Sequence, residues 1–169
     1  MLINSSVLLD GYSAATIKHG RAQHHSTVDT ALTQLFTFLS QLSCAPVQCT
    51  FVYDGDDRPA VKRGINVICR QPLLYKKSKD LVNAFGFDVR NAAGDAEAEL
   101  AVMNQLGIID AILTRDSDVF PLGAVCVMKV VSYVCLSSWI FGILTTAHNS
   151  KLIVDIYYAD VIENALGLT

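Results

Sequence analysis

Two hydrophobic periods run along the chain. Val28, Leu32, Leu35, Phe36, Leu39 and Leu42 recur close to every 3.6 residues, which predicts an amphipathic helix over 26–42, with Ser26 and Asp29 in a capping relationship. Apolar runs at 1–9, 48–53 and 108–113 predict buried strands, and shorter ones at 87–90 and 152–156 predict two more. Helices are expected over 95–106 and 158–166, and one ending over 80–85. Each stops at a glycine (Gly107, Gly167 and Gly86) suited to a left-handed cap. Residues 11–25 read as a loop. The alternation of strand and helix predicts an α/β fold, a three-layer sandwich with a mainly parallel central sheet, formed by 1–169 as a single domain. In such sheets, ligands bind beyond the carboxyl ends of the strands.

One stretch breaks the pattern. "VVSYVCLSSWIFGILTTA", residues 130–147, has no charged residue in 18 positions, the lower edge of a membrane-span length. It also holds five Ser/Thr residues, and a charged pattern resumes at Lys151, so buried strands or a packed hairpin are favoured over a span.

Composition narrows the function. The chain is 51% hydrophobic and 17% charged with a net charge of −3, so it is globular and lacks the basic surplus of an autonomous nucleic-acid binder. Contact with nucleic acid must come from local basic clusters. The five cysteines, Cys44, Cys49, Cys69, Cys126 and Cys135, are odd in number and have no C-x-x-C spacing. This argues against a disulfide framework or zinc site and for a reduced, intracellular protein. His19, His24 and His25 lack metal-ligand spacing and read as surface residues.

The scarce carboxylates are concentrated. Asp95, Glu97 and Glu99 fall within five residues, Asp116 and Asp118 follow the strand expected at 108–113, and Asp54 follows the one at 48–53. Carboxylates gathered at one sheet edge repel each other unless a cation joins them, and all-oxygen ligands suit Mg²⁺ or Mn²⁺. Two such ions can hold a phosphodiester and activate water. Asp95 and Glu99 share an ideal helix face, whereas Asp95 and Glu97 are about 200° apart and converge only if Asp95 is at the cap. Helix-start carboxylates also gain from the helix dipole without any metal. Asp116 and Asp118 point the same way if the segment is extended, and a D-x-D turn is the competing reading.

At these residues the chain resembles the XPG/flap-endonuclease family of structure-specific nucleases, which have a PIN-like fold; its style is similar to the Holliday-junction-resolvase-like fungal branch. "FVYDGDDRPAVKRG" (51–64) resembles the end of the family's N-terminal nuclease region, here about 1–70. "AAGDAEAELAVMNQLGIIDAILTRDSDVFPLGA" (92–124) resembles its internal nuclease region, about 91–124. The resemblance implies Mg²⁺-dependent cleavage of flapped or branched DNA, with two ions and Mn²⁺ as a substitute, in a nuclear DNA-repair enzyme. It implies Asp54, Asp95, Glu97, Asp116 and Asp118 as metal ligands, with Glu99 in an outer or surface role. Lys62 and Arg63 fall where the family faces the scissile phosphate, and Arg58, Lys76, Lys77 and Lys79 could track the DNA backbone. For the lysine run, a solvated helix face is an equal alternative. No small-molecule cofactor is expected, nor a membrane, and the expected state is a monomer.

The chain departs from the family pattern. In "INSSVLL" (3–9), Asn4 stands where the family has a ligating Asp; it offers a neutral carbonyl oxygen and no charge. Asp10 is not expected to substitute from the same strand, because six extended residues span roughly 20 Å. The chain is expected to be incomplete at both ends, stopping before a further ligating Asp and a DNA-gripping helical element. Two function classes follow: a Mg²⁺-dependent structure-specific endonuclease or a fragment of one, or a degenerate, non-catalytic PIN-like domain with weak DNA or partner binding.

Overall fold

The structure is a computed structural model and describes residues 1–18, 24–58, 61–62, 65–66, 73–133 and 152–167. Its strands are β1 (Leu2–Asn4), β2 (Thr50–Tyr53), β3 (Val61–Lys62), β4 (Ile65–Asn66), β5 (Asp88–Asn91), β6 (Ile112–Leu113), β7 (Cys126–Tyr133) and β8 (Leu152–Tyr158). Its helices are α1 (Ser5–Lys18), α2 (His24–Leu42), α3 (Leu73–Ala84), α4 (Ala96–Gln105) and α5 (Ala159–Leu166).

Six strands form one sheet in the order β5-β2-β1-β6-β7-β8, and β3 pairs with β4 in a separate antiparallel ribbon. Within the large sheet every pairing is parallel except β7 with β8, where a register shift falls between Val130 and Ser132. This is the mainly parallel α/β sheet read from the sequence. From β1 the chain passes outward to β2 and β5, then returns to the other side of β1 as β6. The strand order therefore reverses at β1, and the crevice beyond its carboxyl end is where this architecture places a ligand.

Successive strand residues supply two apolar layers. Ile3, Phe51, Tyr53 and Leu113 face the α1–α3 side with Leu9, Leu35, Phe38, Leu39 and Val82. Leu2, Val52, Ile112 and Val127 face the α4 side with Ala96, Leu100 and Ala101. Small residues on α4 let it lie close to the sheet, and because α4 follows directly from the carboxyl end of β5, its amino end lies at the sheet's carboxyl edge.

The sequence reading is corrected at several elements. The apolar run at 1–9 is a strand only to Asn4. There the side chain Oδ1 accepts the Val7 N–H at 3.3 Å and starts α1, whose buried Leu8, Leu9 and Tyr12 continue the apolar pattern at helical spacing. The loop expected over 11–25 is thus largely helix, and α2 begins at His24 and not at Ser26; His19 lies outside the described residues. The strand expected over 108–113 is confined to Ile112–Leu113. The preceding turn is fixed by Gly107 at φ +68° and by the Asn104 Nδ2 donor on the Ile109 carbonyl, 3.0 Å. Gly86 and Gly167 occupy the left-handed positions expected of them. Of the uncharged stretch 130–147, the first four residues belong to β7 and the rest lie outside the described residues. Among the described residues, no helix is long and apolar enough to cross a membrane.

Candidate metal centre

The carboxyl edge is assembled from four strand ends. Asn4 closes β1, Asp54 follows β2, Ala92 follows β5 and Thr114 follows β6. The loops after β2 and β5 are bonded together: Gly55 N–H donates to the Gly94 carbonyl at 2.8 Å, and Asp57 N–H to the Ala93 carbonyl at 3.0 Å. The approach is so close that a Cβ on Gly55 would lie 1.9 Å from the Ala92 oxygen, so no other residue fits without moving one loop. This contact joins the Asp54 segment to the "GDAEAE" segment.

Asp54 is held on three sides. Its backbone N–H donates to Ser6 Oγ at 3.1 Å, its Oδ1 accepts the Ala96 N–H at 2.9 Å, and its Oδ2 accepts Arg58 Nη1 at 2.8 Å. Ala96 is the first residue of α4, so Asp54 caps that helix from another strand. Asp95 stands at the N-cap with extended backbone (φ −69°, ψ 126°) and makes no side-chain capping bond. It is therefore at the cap, as convergence with Glu97 required.

Glu97, Asp116 and Asp118, all half-buried, bring one carboxylate oxygen each within 4.8 Å of one another. The turn after β6 explains how. Thr114 Oγ1 accepts the Asp116 N–H at 3.1 Å, and Asp116 Oδ1 accepts the Asp118 N–H at 3.0 Å. The second bond is an Asx turn, so the turn and the site are one object, and the extended geometry expected for Asp116 and Asp118 is replaced by it. Behind the turn, Lys129 Nζ donates to Ser117 Oγ at 2.8 Å. The donor set is all oxygen and carries up to three negative charges. With metal–oxygen distances of about 2.0–2.1 Å, Mg²⁺ gathers oxygens about 3–4 Å apart, so small side-chain adjustments fit this group to such an ion. Asp54 and Asp95 lie outside the three-residue group. Glu99 pairs with Arg90 and accepts the Ala93 N–H at 3.3 Å, which ties the start of α4 to β5 and gives it a structural place.

Asn4 occupies the expected ligand position at the end of β1. It is 1% exposed, and its Nδ2 is buried with no hydrogen-bond partner. Asp10 is nearer than an extended strand would place it. Because it lies on α1, six residues advance only about 9 Å from Asn4, and Asp10 interacts electrostatically with Asp54 and Arg58. Its Oδ1 accepts the Tyr75 hydroxyl at 3.3 Å. Partial loss of water, with repulsion from Asp54, holds its carboxyl above the ordinary range. Burial, with Asp10 beside it, likewise pushes the Tyr75 phenol up. Asp10 comes this near because α1 begins at Ser5, where a strand over 1–9 would carry it away.

The basic residues fall into four groups. Arg58 is turned onto Asp54. Lys76 and Lys77 are exposed on α3, as a solvated face or a phosphate-tracking face both require. Lys79 is half-buried: its Nζ lies 4.8 Å from the centre of the Tyr53 ring and donates to Asn91 Oδ1 at 2.7 Å. Desolvation lowers its pKa, with Asp56 opposing. Lys62 is in β3, opposite Ile65, and Arg63 lies outside the described residues.

With this geometry in hand, residues 86–169 match the XPG I-region family. The chain belongs to the XPG family of nucleases. Flap endonuclease GEN-like 1 of Arabidopsis thaliana is 33% identical over 118 residues, covering 68% of this chain and 17% of the relative. The chain thus spans less than a fifth of that curated relative. Among solved structures, the catalytic core of Rad2 in complex with DNA substrate aligns with a TM-score of 0.66 and 26% identity, over 99% of this chain and 48% of the other. The Holliday junction-resolving enzyme GEN1, in complex with product DNA, Mg²⁺ and Mn²⁺, aligns with a TM-score of 0.59 and 23% identity, over 96% of this chain and 33% of the other. At that identity the second likeness carries the PIN-like fold of the XPG nucleases.

Proposed function

We propose that the chain is the nuclease region of a divalent-metal-dependent, structure-specific DNA endonuclease acting at flaps or junctions in DNA repair. The observation that carries this reading is the convergence of Glu97, Asp116 and Asp118 at the reversal point of a parallel sheet. These three residues would hold a Mg²⁺ or Mn²⁺ ion, and Asp54 with Asp95 a second. When bound, the ions supply Lewis-acid stabilisation of phosphate charge and a more acidic water. The chain's own part is to orient and neutralise. The bonded loops at Gly55 and Gly94 fix the distance between the Asp54 and Glu97 segments. Lys62 and Arg63 are assigned to the scissile phosphate, and Arg58, Lys76, Lys77 and Lys79 to the DNA backbone. The N-terminal nuclease region is assigned to about 1–70 and the internal region to about 91–124 of one domain. A monomer acting in the nucleus fits this role.

Asn4 favours a second reading, a degenerate domain that binds DNA or a partner weakly and does not cut. A neutral amide at the centre of the edge removes one charge from the site. Incubation with labelled flap and four-way-junction DNA plus Mg²⁺ tests both. Cleavage that disappears on chelation supports the nuclease. No cleavage by the wild type and none by Asn4→Asp sinks it for this chain.

A further inference from the structure

The acidic residues at the sheet edge are in two unlike electrostatic situations. Glu97, Asp116 and Asp118 crowd together as three carboxylates. A few residues away, Asp54 already has a cation: Arg58 Nη1 lies 2.8 Å from its Oδ2, with the two side chains 20% and 12% exposed. The other oxygen of Asp54 accepts the Ala96 N–H, so donors hold both oxygens. The adjoining strand end supplies Asn4, which is buried and neutral.

We propose that Arg58 is a built-in counter-cation for Asp54 that competes with a divalent ion for that carboxylate, so the Glu97–Asp116–Asp118 half loads first and the Asp54 half is gated. The inference rests on the metal-dependent reading above. Its physical basis is that a guanidinium cannot lose its charge, and a pair this poorly solvated is screened far less than a surface pair. An ion approaching Asp54 must either share the carboxylate beside a fixed positive charge or displace it. The pair is four residues apart in one loop, so Arg58 can swing away without unfolding an element. A DNA phosphate is the natural alternative partner for the released guanidinium, since a guanidinium fork matches phosphate oxygens in a bidentate pair. Metal loading at Asp54 would then be coupled to the arrival of substrate.

The test is Mn²⁺ titration of the full chain, following free Mn²⁺ by electron paramagnetic resonance. The proteins compared are the wild type, Arg58→Gln and Arg58→Lys. The wild type should show one tighter and one weaker class of ion. Arg58→Gln should tighten the weaker class by about tenfold or more, because a nearby repulsive charge is gone, and should leave the tighter class in place. Arg58→Lys, which keeps the charge, should stay close to the wild type. Two equally tight classes in the wild type, or no tightening in Arg58→Gln, would overturn the gate while leaving the metal centre standing. No ion bound by any of the three would overturn the metal centre and the gate together. Circular dichroism guards against misfolding. An Arg58→Gln chain that unfolds without Mn²⁺ and refolds as the weaker class fills supports the proposal, and one unfolded at every Mn²⁺ concentration counts against it.

Discussion

Asp54 accepts the backbone N–H of Ala96 at 2.9 Å across 42 residues of sequence, and so caps a helix that its own N-cap residue, Asp95, leaves without a side-chain capping bond. A residue assigned to metal binding is therefore also structural. Asp54→Ala removes a helix cap and strands Arg58, which should cost about 1–2 kcal/mol. Asp54→Asn keeps an acceptor for Ala96 and should cost less. Urea unfolding in chelator separates the two effects; equal stability of both variants and the wild type would remove the capping role.

Gly55→Ala should be among the most disruptive small changes in the chain. The new methyl would meet the Ala92 and Ala93 carbonyl oxygens at 1.9 and 2.3 Å, both backbone atoms that cannot rotate away. Separating the two loops would break the Gly55–Gly94 bond and shift Asp54 relative to Glu97. A loss of about 2 kcal/mol or more is expected, together with weaker Mn²⁺ binding. A variant with wild-type stability would show that the loops yield more easily than their bonding indicates.

These two sites mark how far the sequence could be read. The sheet edge was legible because Asp54, Glu97, Asp116 and Asp118 each sit at a local signal, a strand end, a helix start or a D-x-D pattern, which is weak alone and specific only in combination. What no local pattern carried is how the segments meet. The Ala96 bond to Asp54 and the Gly55 contact are long-range, and nothing in "FVYDG" distinguishes a glycine needed for a turn from one needed to admit a carbonyl. The first element is longer in the sequence reading than in the fold because Asn4 ends the strand with its side chain, while apolar residues resume at Val7, Leu8 and Leu9 after only three polar positions, already on α1. That difference carries over to Asp10, which a strand would have removed from the site and a helix returns to it. Glu99 pairs with Arg90 and accepts the Ala93 N–H, so it holds the start of α4 to β5, a structural place that helix spacing alone does not reveal.

Asn104 is a support that periodicity alone does not reveal. Buried on α4, it donates to the Ile109 carbonyl and accepts the Val125 and Cys126 N–H groups, both at 2.8 Å. It thus sets the turn into β6 and the start of β7 together. Asn104→Ala leaves two N–H groups and a carbonyl without that partner, so a loss of about 2–4 kcal/mol is expected. Thermal unfolding reads it directly, and a change below about 1 kcal/mol would mean that water replaces the amide.

Asp10 gives a pH dependence whose sign is fixed. Its carboxyl is held above the ordinary value of 3.8 by partial desolvation and by Asp54. The folded state therefore binds this proton more tightly than the unfolded chain does. Asp10 costs stability above its raised pKa, and the cost fades as pH falls through that value towards 3.8. Asp10→Asn, which still accepts from Tyr75, should be more stable than the wild type at pH 7 and should converge with it in acid. Melting curves across pH 3.5–8 would show the gap closing; a gap that widens in acid reverses the sign and rules out the account.

Glu97→Gln should move stability in opposite directions with and without ion. Without a cation, three carboxylates within 4.8 Å repel one another, so removing one charge relieves the folded state and should raise the melting temperature in chelator. With ion present, the same change removes a ligand and weakens binding. An ion at a hundred times its dissociation constant stabilises a fold by about 2.7 kcal/mol, and most of that gain should vanish in the variant. The melting curves of the two proteins should therefore cross as Mg²⁺ or Mn²⁺ is added, the wild type overtaking Glu97→Gln. Asp118→Asn should behave the same way. Asp116→Asn should too, because Asn can keep the Asx turn to the Asp118 N–H while losing the charge. A wild type that gains nothing from either ion, or a Glu97→Gln variant that gains as much, would show that the three carboxylates serve the turn and the helix start alone.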